Sequence, residues 1–117
     1  MKFLALTIFL LASSSVFAQV QLVSGDIAII RAHNKSVGTE GSFALIQLKG
    51  VSDVLDCTKA DLGKGVLAHF VIDNEEKNIY SMLLAAYMSG KNVEINVDSS
   101  PSNKINGLCV VRYASIL

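Results

Sequence analysis

The sequence predicts a mainly β domain that carries one helix, with its elements in the order β-β-β-α-β-β. Three observations indicate this fold class. Five short runs are rich in the branched and aromatic residues that favour strands. One stretch, residues 74–89, has an acidic start and is followed by a glycine, as helices commonly are. An N-terminal export pattern leaves 99 of the 117 residues for the fold, which is the length of one domain.

The five strands are predicted from apolar patterns that lie between turn-rich segments. Residues 26–32 (DIAIIRA) are rich in isoleucine, and residues 43–49 (FALIQLK) end at a glycine. Residues 66–72 (VLAHFVI) are apolar almost throughout, which is typical of a central strand. Residues 92–98 (NVEINVD) alternate, which predicts a strand with one wet face. The last strand is expected over residues 108–116.

The helix is predicted from the residues at its two ends. Asp73 is the expected N-cap, and Glu76 is expected to reach back to it in a capping box. Gly90 is the expected left-handed stop. Five strands with a helix between the third and the fourth have the connectivity of an OB-fold, a small, partly open Greek-key barrel. We therefore expect residues 19–117 to form a single OB-fold-like barrel domain.

Residues 1–18 have the features of a secretory signal peptide. Lys2 provides a positive charge, residues 3–12 are apolar, and the sequence SSSVFA precedes the expected cleavage between Ala18 and Gln19. The apolar run is too short to span a bilayer of about 30 Å as a helix. An N-terminal anchor or core helix is the alternative interpretation. The pattern predicts a secreted or periplasmic protein whose mature chain has no membrane span.

The chain contains two cysteines, Cys57 and Cys109. An isolated pair in an exported protein normally forms a disulfide. Closing the loop between them would contribute roughly 4 kcal/mol on the chain-entropy model. A pair of free thiols or a metal site is the alternative, but the cysteines form no recognisable zinc-ligand spacing with His33 and His69. The predicted bridge ties residues 51–65, expected to be an irregular connection, to the final strand.

No catalytic, cofactor-binding or metal-binding residues are predicted, so the chain is not expected to be an enzyme. No nucleophile–base pair can be assigned, and the glycines and aspartates match neither a phosphate loop nor an EF-hand. His69 is expected to be a hydrogen-bonded histidine in the barrel. Glu94 and Asp98 are interpreted as solubilising charges on the wet face of their strand.

The charge balance argues against nucleic acid as a partner. Removal of the signal peptide removes Lys2 and leaves nine basic and ten acidic side chains, a net charge of −1. The chain also contains no tryptophan that could stack on a base. A chain of this charge has no field that would attract polyanions.

The predicted helix has more apolar surface than one barrel can cover. At 100° per residue its apolar side chains span an arc of roughly 240°, whereas a surface helix usually has an apolar stripe of little more than 100°. The surplus consists chiefly of Tyr80, Leu84, Tyr87 and Met88. These four residues are the candidate interface of a homo-oligomer. The alternative is that residues 51–65 of the same chain cover them.

The helix and the strand that follows it carry a resemblance to a known family. The run YSMLLAAYMSGKNVEINV, followed by Cys109 and a terminal strand, resembles the B subunits of bacterial multi-subunit toxins, especially the subtilase-cytotoxin type. It also resembles small exported Gram-negative proteins of unknown function. The resemblance implies an OB-fold, packing of the helix with its copies around a fivefold ring, and binding of host sugars at the barrel edge. It assigns no sugar-contacting residue in this chain.

These observations favour two functional hypotheses over a third, a small hydrolase, for which no nucleophile–base pair can be named. The first is a non-catalytic secreted binding module that oligomerises and docks on a glycan or a protein receptor. The alternative is a monomeric periplasmic accessory or inhibitor protein of unknown ligand. The oligomeric state of the chain distinguishes the two hypotheses.

Overall fold

A computed structural model describes residues 19–33 and 43–117. The predicted signal peptide, which includes Ala18 at the expected cleavage point, lies outside the described residues. So does most of the turn-rich loop that separates the first two predicted strands.

The described residues form seven strands and one helix. The elements, in chain order, are β1 (Val20–His33), β2 (Phe43–Leu48), β3 (Lys59–Asp61), β4 (Val66–Ala68), β5 (Phe70–Ile72), α1 (Lys77–Ser89), β6 (Asn92–Asp98) and β7 (Val110–Ile116).

Five of these strands make one sheet in the order β1-β2-β5-β7-β6, and β6 pairs back with β1. Neighbours are antiparallel except for β5 and β7, which are parallel. The helix lies between the third and the fourth strand of this sheet along the chain, as predicted. The predicted fold class, mainly β with one helix, is therefore confirmed, together with its five-stranded sheet.

The first strand begins at Val20, whereas the sequence predicts a start at residue 26. Its first half pairs with β6, from Val20 to Asp26, and its second half pairs with β2, from Ile27 to His33. Among residues 20–24 only Val23 is buried. The first half of β1 therefore lacks the apolar run that identifies its second half. A single strand thus contributes to two strand pairs.

The prediction of an irregular connection over residues 51–65 followed by one strand over residues 66–72 is wrong in detail. The connection contains β3, which pairs with β4 as a separate two-stranded sheet. The chain leaves β4 at His69, and only β5 joins the main sheet. Continuous apolar sequence does not reveal this break, because both β4 and β5 bury residues against the same core.

A buried amide fastens the β3–β4 hairpin to the main sheet. Gln47 of β2 is fully buried, and its Nε2 donates hydrogen bonds to the carbonyl oxygens of Ala60 at 3.0 Å and Leu67 at 3.2 Å. Hydrogen bonds offset the cost of burying the Nε2 group, whereas Oε1 of the same amide is buried and has no partner among the described residues. Gln47 therefore explains why the hairpin lies on β2 instead of extending into solvent.

The core lies between the inward faces of the sheet and one side of α1. In β6 the predicted alternation is confirmed, since Val93, Ile95 and Val97 are fully buried. The helix contributes Leu83 and Ala86, which are also fully buried. Most contacts of α1 with the sheet are to β7, β1 and β6.

The helix ends where predicted, but its N-terminal cap differs from the prediction. Gly90 is the C-cap with φ 67°, a left-handed conformation that glycine adopts without a side-chain clash. The N-cap is Glu76, three residues later than expected, and no side chain caps the helix. The Oδ1 of Asp73 instead accepts a hydrogen bond from the backbone N–H of Glu75 at 3.3 Å, because the chain makes a turn before the helix begins.

The predicted disulfide between Cys57 and Cys109 is present, with a Cα–Cα distance of 5.6 Å. It joins the connection after β2 to the residue that precedes β7. The carbonyl oxygen of Cys109 also accepts a hydrogen bond from the backbone N–H of Val71 at 2.9 Å. The bridge therefore lies at the point where the parallel strands β5 and β7 meet.

Within the two described ranges, α1 is the one helix, and it is too short to cross the hydrocarbon layer of a membrane.

Replacing both cysteines by serine (C57S with C109S) is expected to lower the free energy of unfolding by about 4 kcal/mol, because the unfolded chain regains the freedom of the closed loop. Urea unfolding of the oxidised protein and the double variant measures this difference. Dithiothreitol should destabilise the wild type and leave the variant unchanged. A loss below about 1 kcal/mol would contradict the structural role of the bridge.

Candidate functional site

A buried carboxylate lies at the end of β6, where the chain enters the loop to β7. Asp98 is 1% exposed. Its Oδ1 accepts a hydrogen bond from the backbone N–H of Ser100 at 2.8 Å. Its Oδ2 accepts hydrogen bonds from Asn103 Nδ2 at 3.0 Å and from Arg112 Nη1 at 2.8 Å. One carboxylate therefore connects the end of β6, the following loop and the start of β7.

These hydrogen bonds keep Asp98 ionised. Hydrogen bonding by Ser100, together with that by Asn103 and Arg112, holds the pKa of Asp98 well below its usual range, and it outweighs the opposing effect of burial. The half-exposed guanidinium of Arg112 is the cation that balances this buried charge.

The interpretation of Asp98 as a solubilising charge is therefore wrong. Strict alternation places Asp98 on the wet face with Glu94, and Glu94 is indeed only half-buried. The β6–β7 pairing shifts register between Asn96 and Val97, and the loop after β6 covers the end of the strand. Alternation along one strand cannot predict that a later loop will fold over its end.

The β6–β7 loop contains a tight turn that lies outside the predicted elements. Ile105 and Leu108 exchange backbone hydrogen bonds of 3.1 and 2.9 Å around Asn106 and Gly107. Both central residues have positive φ values, 51° and 76°. Asn-Gly is the preferred pair for such a turn. The dipeptide in the sequence was the signal that could have located it.

A cleft of about 470 Å³ lies between this loop and the segment that leads into α1. Its volume falls in the range of about 300–1,000 Å³ that is usual for small-molecule sites. The loop and the start of β7 contribute Asn103, Lys104 and Arg112, and the segment before the helix contributes Asp73 and Glu76. Ser102, Ile105, Val110 and Val111 complete the lining.

The two cations of this cleft are each paired with a carboxylate that does not line it. Lys104 Nζ lies 3.2 Å from Asp56 Oδ2, and Arg112 is held by Asp98. The hydrogen bond from Lys104 lowers the pKa of Asp56. Asp73 and Glu76 form no ion pair with any described residue. On one side of the cleft, the cations Lys104 and Arg112 are each neutralised by a carboxylate. On the other side, Asp73 and Glu76 have no neighbouring cation among the described residues in an ion pair.

The candidate interface on α1 divides into a covered half and an exposed half. Tyr80 and Leu84 are half-buried, and Tyr80 packs against the core. Tyr87 is 46% exposed and Met88 is 79% exposed. Within the part of the chain that the structure describes, residues 51–65 do not cover these last two side chains. A second, smaller cleft of about 180 Å³ lies beside Tyr87 and includes Asp26 and Lys49.

A carboxylate lies close to the disulfide without forming a metal site. A carboxylate oxygen of Asp56 and the sulfurs of Cys57 and Cys109 all lie within 4.8 Å of one another. Cysteine binds a metal ion as a thiolate, and here the two sulfurs are bonded to each other in the disulfide. The cluster therefore offers Asp56 alone, and Asp56 is already paired with Lys104.

The prediction of a hydrogen-bonded histidine is wrong for one ring nitrogen of His69. Its Nδ1 is buried and has no hydrogen-bond partner among residues 19–33 and 43–117. Loss of contact with water lowers the pKa of His69. The ring therefore favours its neutral form at the break between β4 and β5.

Comparison of the chain with protein-family models, with curated proteins and with solved structures gives no significant match.

Replacement of Asp98 by asparagine is expected to lower the free energy of unfolding by about 2 to 3 kcal/mol, because an amide cannot accept all three hydrogen bonds or balance Arg112. Glu94→Gln, on the same strand, is the matched control and should change stability by less than about 0.5 kcal/mol. Urea unfolding at neutral pH measures both variants. Equal effects of the two substitutions would show that the Asp98 network contributes no stability.

The wild type is also expected to lose stability in acid through Asp98. Because the pKa of Asp98 is lower in the folded than in the unfolded protein, its contribution is complete above the ordinary aspartate value of about 3.9 and is lost as the pH falls further below it. Unfolding measured from pH 6 to about pH 2 should show a smaller acid-induced loss in Asp98→Asn than in the wild type. Parallel curves for the two proteins would contradict this assignment.

Proposed function

We propose that this chain is an exported, non-catalytic binding module that assembles through α1 and docks on a glycan or a protein receptor. The observation that carries the proposal is the exposed apolar end of α1, where Met88 is 79% and Tyr87 is 46% exposed. Large apolar side chains that remain exposed together are typical of surfaces that bind another protein.

The strand order supports an OB-fold-type barrel as the scaffold. When the strands of the main sheet are numbered one to five along the chain, their order in space is 1-2-3-5-4, and the fourth strand pairs back with the first. The helix follows the third strand. Barrels of this type bind oligosaccharides and oligonucleotides through their strands and loops, including the loop between the last two strands. In this chain that loop borders the 470 Å³ cleft.

Three features support export and a binding role. The chain begins with a signal-peptide pattern, and its two cysteines form a disulfide, a bond that persists in oxidising compartments. The cleft is lined by ion-pair members and an amide, which are groups that orient a ligand.

Sedimentation velocity of the exported protein should give an oligomer at about 10 μM, a concentration at which a specific subunit interface is occupied. Met88→Glu and Tyr87→Glu should each shift the protein to a folded monomer, because a charge buried in an apolar interface costs several kcal/mol. Asn78→Glu, at an exposed polar position of the same helix, is the matched control and should leave assembly unchanged.

Circular dichroism and urea unfolding establish that each variant is folded. A wild type that remains a monomer at about 100 μM would overturn the assembly proposal and favour the monomeric accessory or inhibitor protein. A Tyr87→Glu variant that unfolds would show instead that Tyr87 belongs to the core of its own chain.

A further inference from the structure

We propose that the open edge of β1, which is the side of residues 20–24 that faces away from β6, binds an extended segment of a partner protein that adds one strand to the sheet. The segment is uncharged along the edge, has apolar side chains at alternate positions and begins with an acidic residue. The inference deepens the proposed docking by stating the chemistry of a protein receptor. It rests on that proposal only in taking the chain to be a binding protein, and it needs no assembly through α1.

The first half of β1 has a neighbouring strand on one side only. Residues 20–26 pair with β6, whereas pairing with β2 begins at Ile27. On the side away from β6, the run from Val20 to Ser24 pairs with no strand in the ranges 19–33 and 43–117. A strand of this kind presents a row of backbone N–H and C=O groups that can pair with another chain.

Two hydrogen bonds show which backbone groups of β1 point to the open edge. The carbonyl oxygen of Gln19 accepts a hydrogen bond from the N–H of Ser99 at 2.9 Å, on the β6 side. The carbonyl oxygen of Asp26 accepts one from the N–H of Lys49 at 2.8 Å, on the opposite side. Because backbone groups alternate between the two sides along a strand, the even-numbered residues of this run point their N–H and C=O groups to the open edge. These residues are Val20, Leu22 and Ser24.

The open edge lacks the features that keep an exposed strand from pairing. Residues 19–25 (QVQLVSG) contain no charged residue and no proline, and the side chains of Val20 and Leu22 are 50% and 52% exposed. The short strand β3, by contrast, has Lys59 and Asp61 among its three residues. Charged residues and proline are the usual protection of an edge strand. The open edge therefore favours an added strand that is itself uncharged and packs apolar side chains beside Val20 and Leu22.

The acidic first residue of the segment follows from the charges at one end of the open edge. Antiparallel pairing is the more stable arrangement, and it places the start of the added strand next to Lys49. Lys49 and Lys91 line the cleft of about 180 Å³ there, together with Asp26. Neither lysine forms an ion pair with a described residue. Two ammonium groups against one carboxylate leave a net positive charge, which favours a carboxylate on the partner.

The probe is a peptide with both ends blocked, in which a glutamate precedes three valine–threonine pairs. Two-dimensional NMR of the purified protein should show binding with a dissociation constant of about 1 mM or less, with shifts in the amide signals of Val20, Leu22 and Ser24. A peptide with six prolines in place of the pairs has no N–H donors there and should not bind. Glutamine in place of the glutamate should weaken binding about two- to fivefold, as expected for an exposed ion pair.

Hydrogen exchange identifies what occupies the open edge. In the free protein at about 10 μM, the N–H groups of Leu22 and Ser24 should exchange rapidly, and saturation with the probe should slow them at least about tenfold. Slow exchange before the probe is added would overturn the proposal. If it persists in the Met88→Glu monomer, another segment of the same chain covers the edge. If it is lost there, or appears only as the protein concentration rises, a second copy covers the edge.

Two substitutions of Leu22 separate the backbone from the side chain. Leu22→Pro removes the N–H that points to the open edge and keeps the pairing with β6, so it should fold and weaken binding at least about tenfold. Leu22→Ala keeps this N–H and should weaken binding less than about threefold. Equal weakening would show that the side chain, and not the strand edge, binds the probe. If Leu22→Pro does not fold, hydrogen exchange of the wild type decides.

No binding of the probe at about 5 mM, or equal binding of the proline peptide, would also overturn the proposal. Repeating the titration with Met88→Glu separates the open edge from assembly through α1. Probe binding to that monomer supports the open edge whatever the assembly state. An oligomer that binds no probe leaves only the assembly proposal standing.

Discussion

The charge of Asp98 is the constraint on which the architecture of the candidate site depends. A carboxylate with 1% exposure is stable only if its hydrogen-bonding capacity is met and a cation is near. The loop after β6 meets this requirement with the backbone of Ser100 and the side chain of Asn103, and β7 supplies Arg112. The conformation of the loop, and therefore one wall of the cleft, follows from the need to satisfy a single buried anion.

Two further links hold the same region together. The disulfide joins Cys57 to Cys109 at the end of the loop, and the Asp56–Lys104 pair joins the neighbouring residue to its middle. The covalent link constrains the unfolded chain, whereas the exposed ion pair contributes little to stability by itself. Their combined effect is to attach the connection after β2 to the middle and to the C-terminal end of the loop. Binding sites are effective when loops are held in this way by a rigid scaffold.

One side of α1 is buried in the core, and the other side is exposed to solvent. Leu83 and Ala86 are fully buried, whereas Met88 is 79% exposed. The sequence pattern correctly indicates a surplus of apolar surface, but the chain covers part of that surplus itself, at Tyr80 and Leu84. A helical projection counts apolar positions around an axis. It does not show which of those positions the rest of the chain covers in the folded protein.

The amino-acid sequence by itself determined the fold class, the end of α1 at Gly90, the alternation in β6 and the pairing of its two cysteines. Each of these depends on local conformational preference or on the presence of a single possible partner. Only the tertiary structure decided the long β1, the division of residues 66–72 between two sheets, and the burial of Asp98. These features arise from contacts between residues distant in sequence, such as Gln47 with Leu67. No periodicity along one segment contains the physical reason for them, which is strand pairing and hydrogen bonding between segments that lie far apart in the chain.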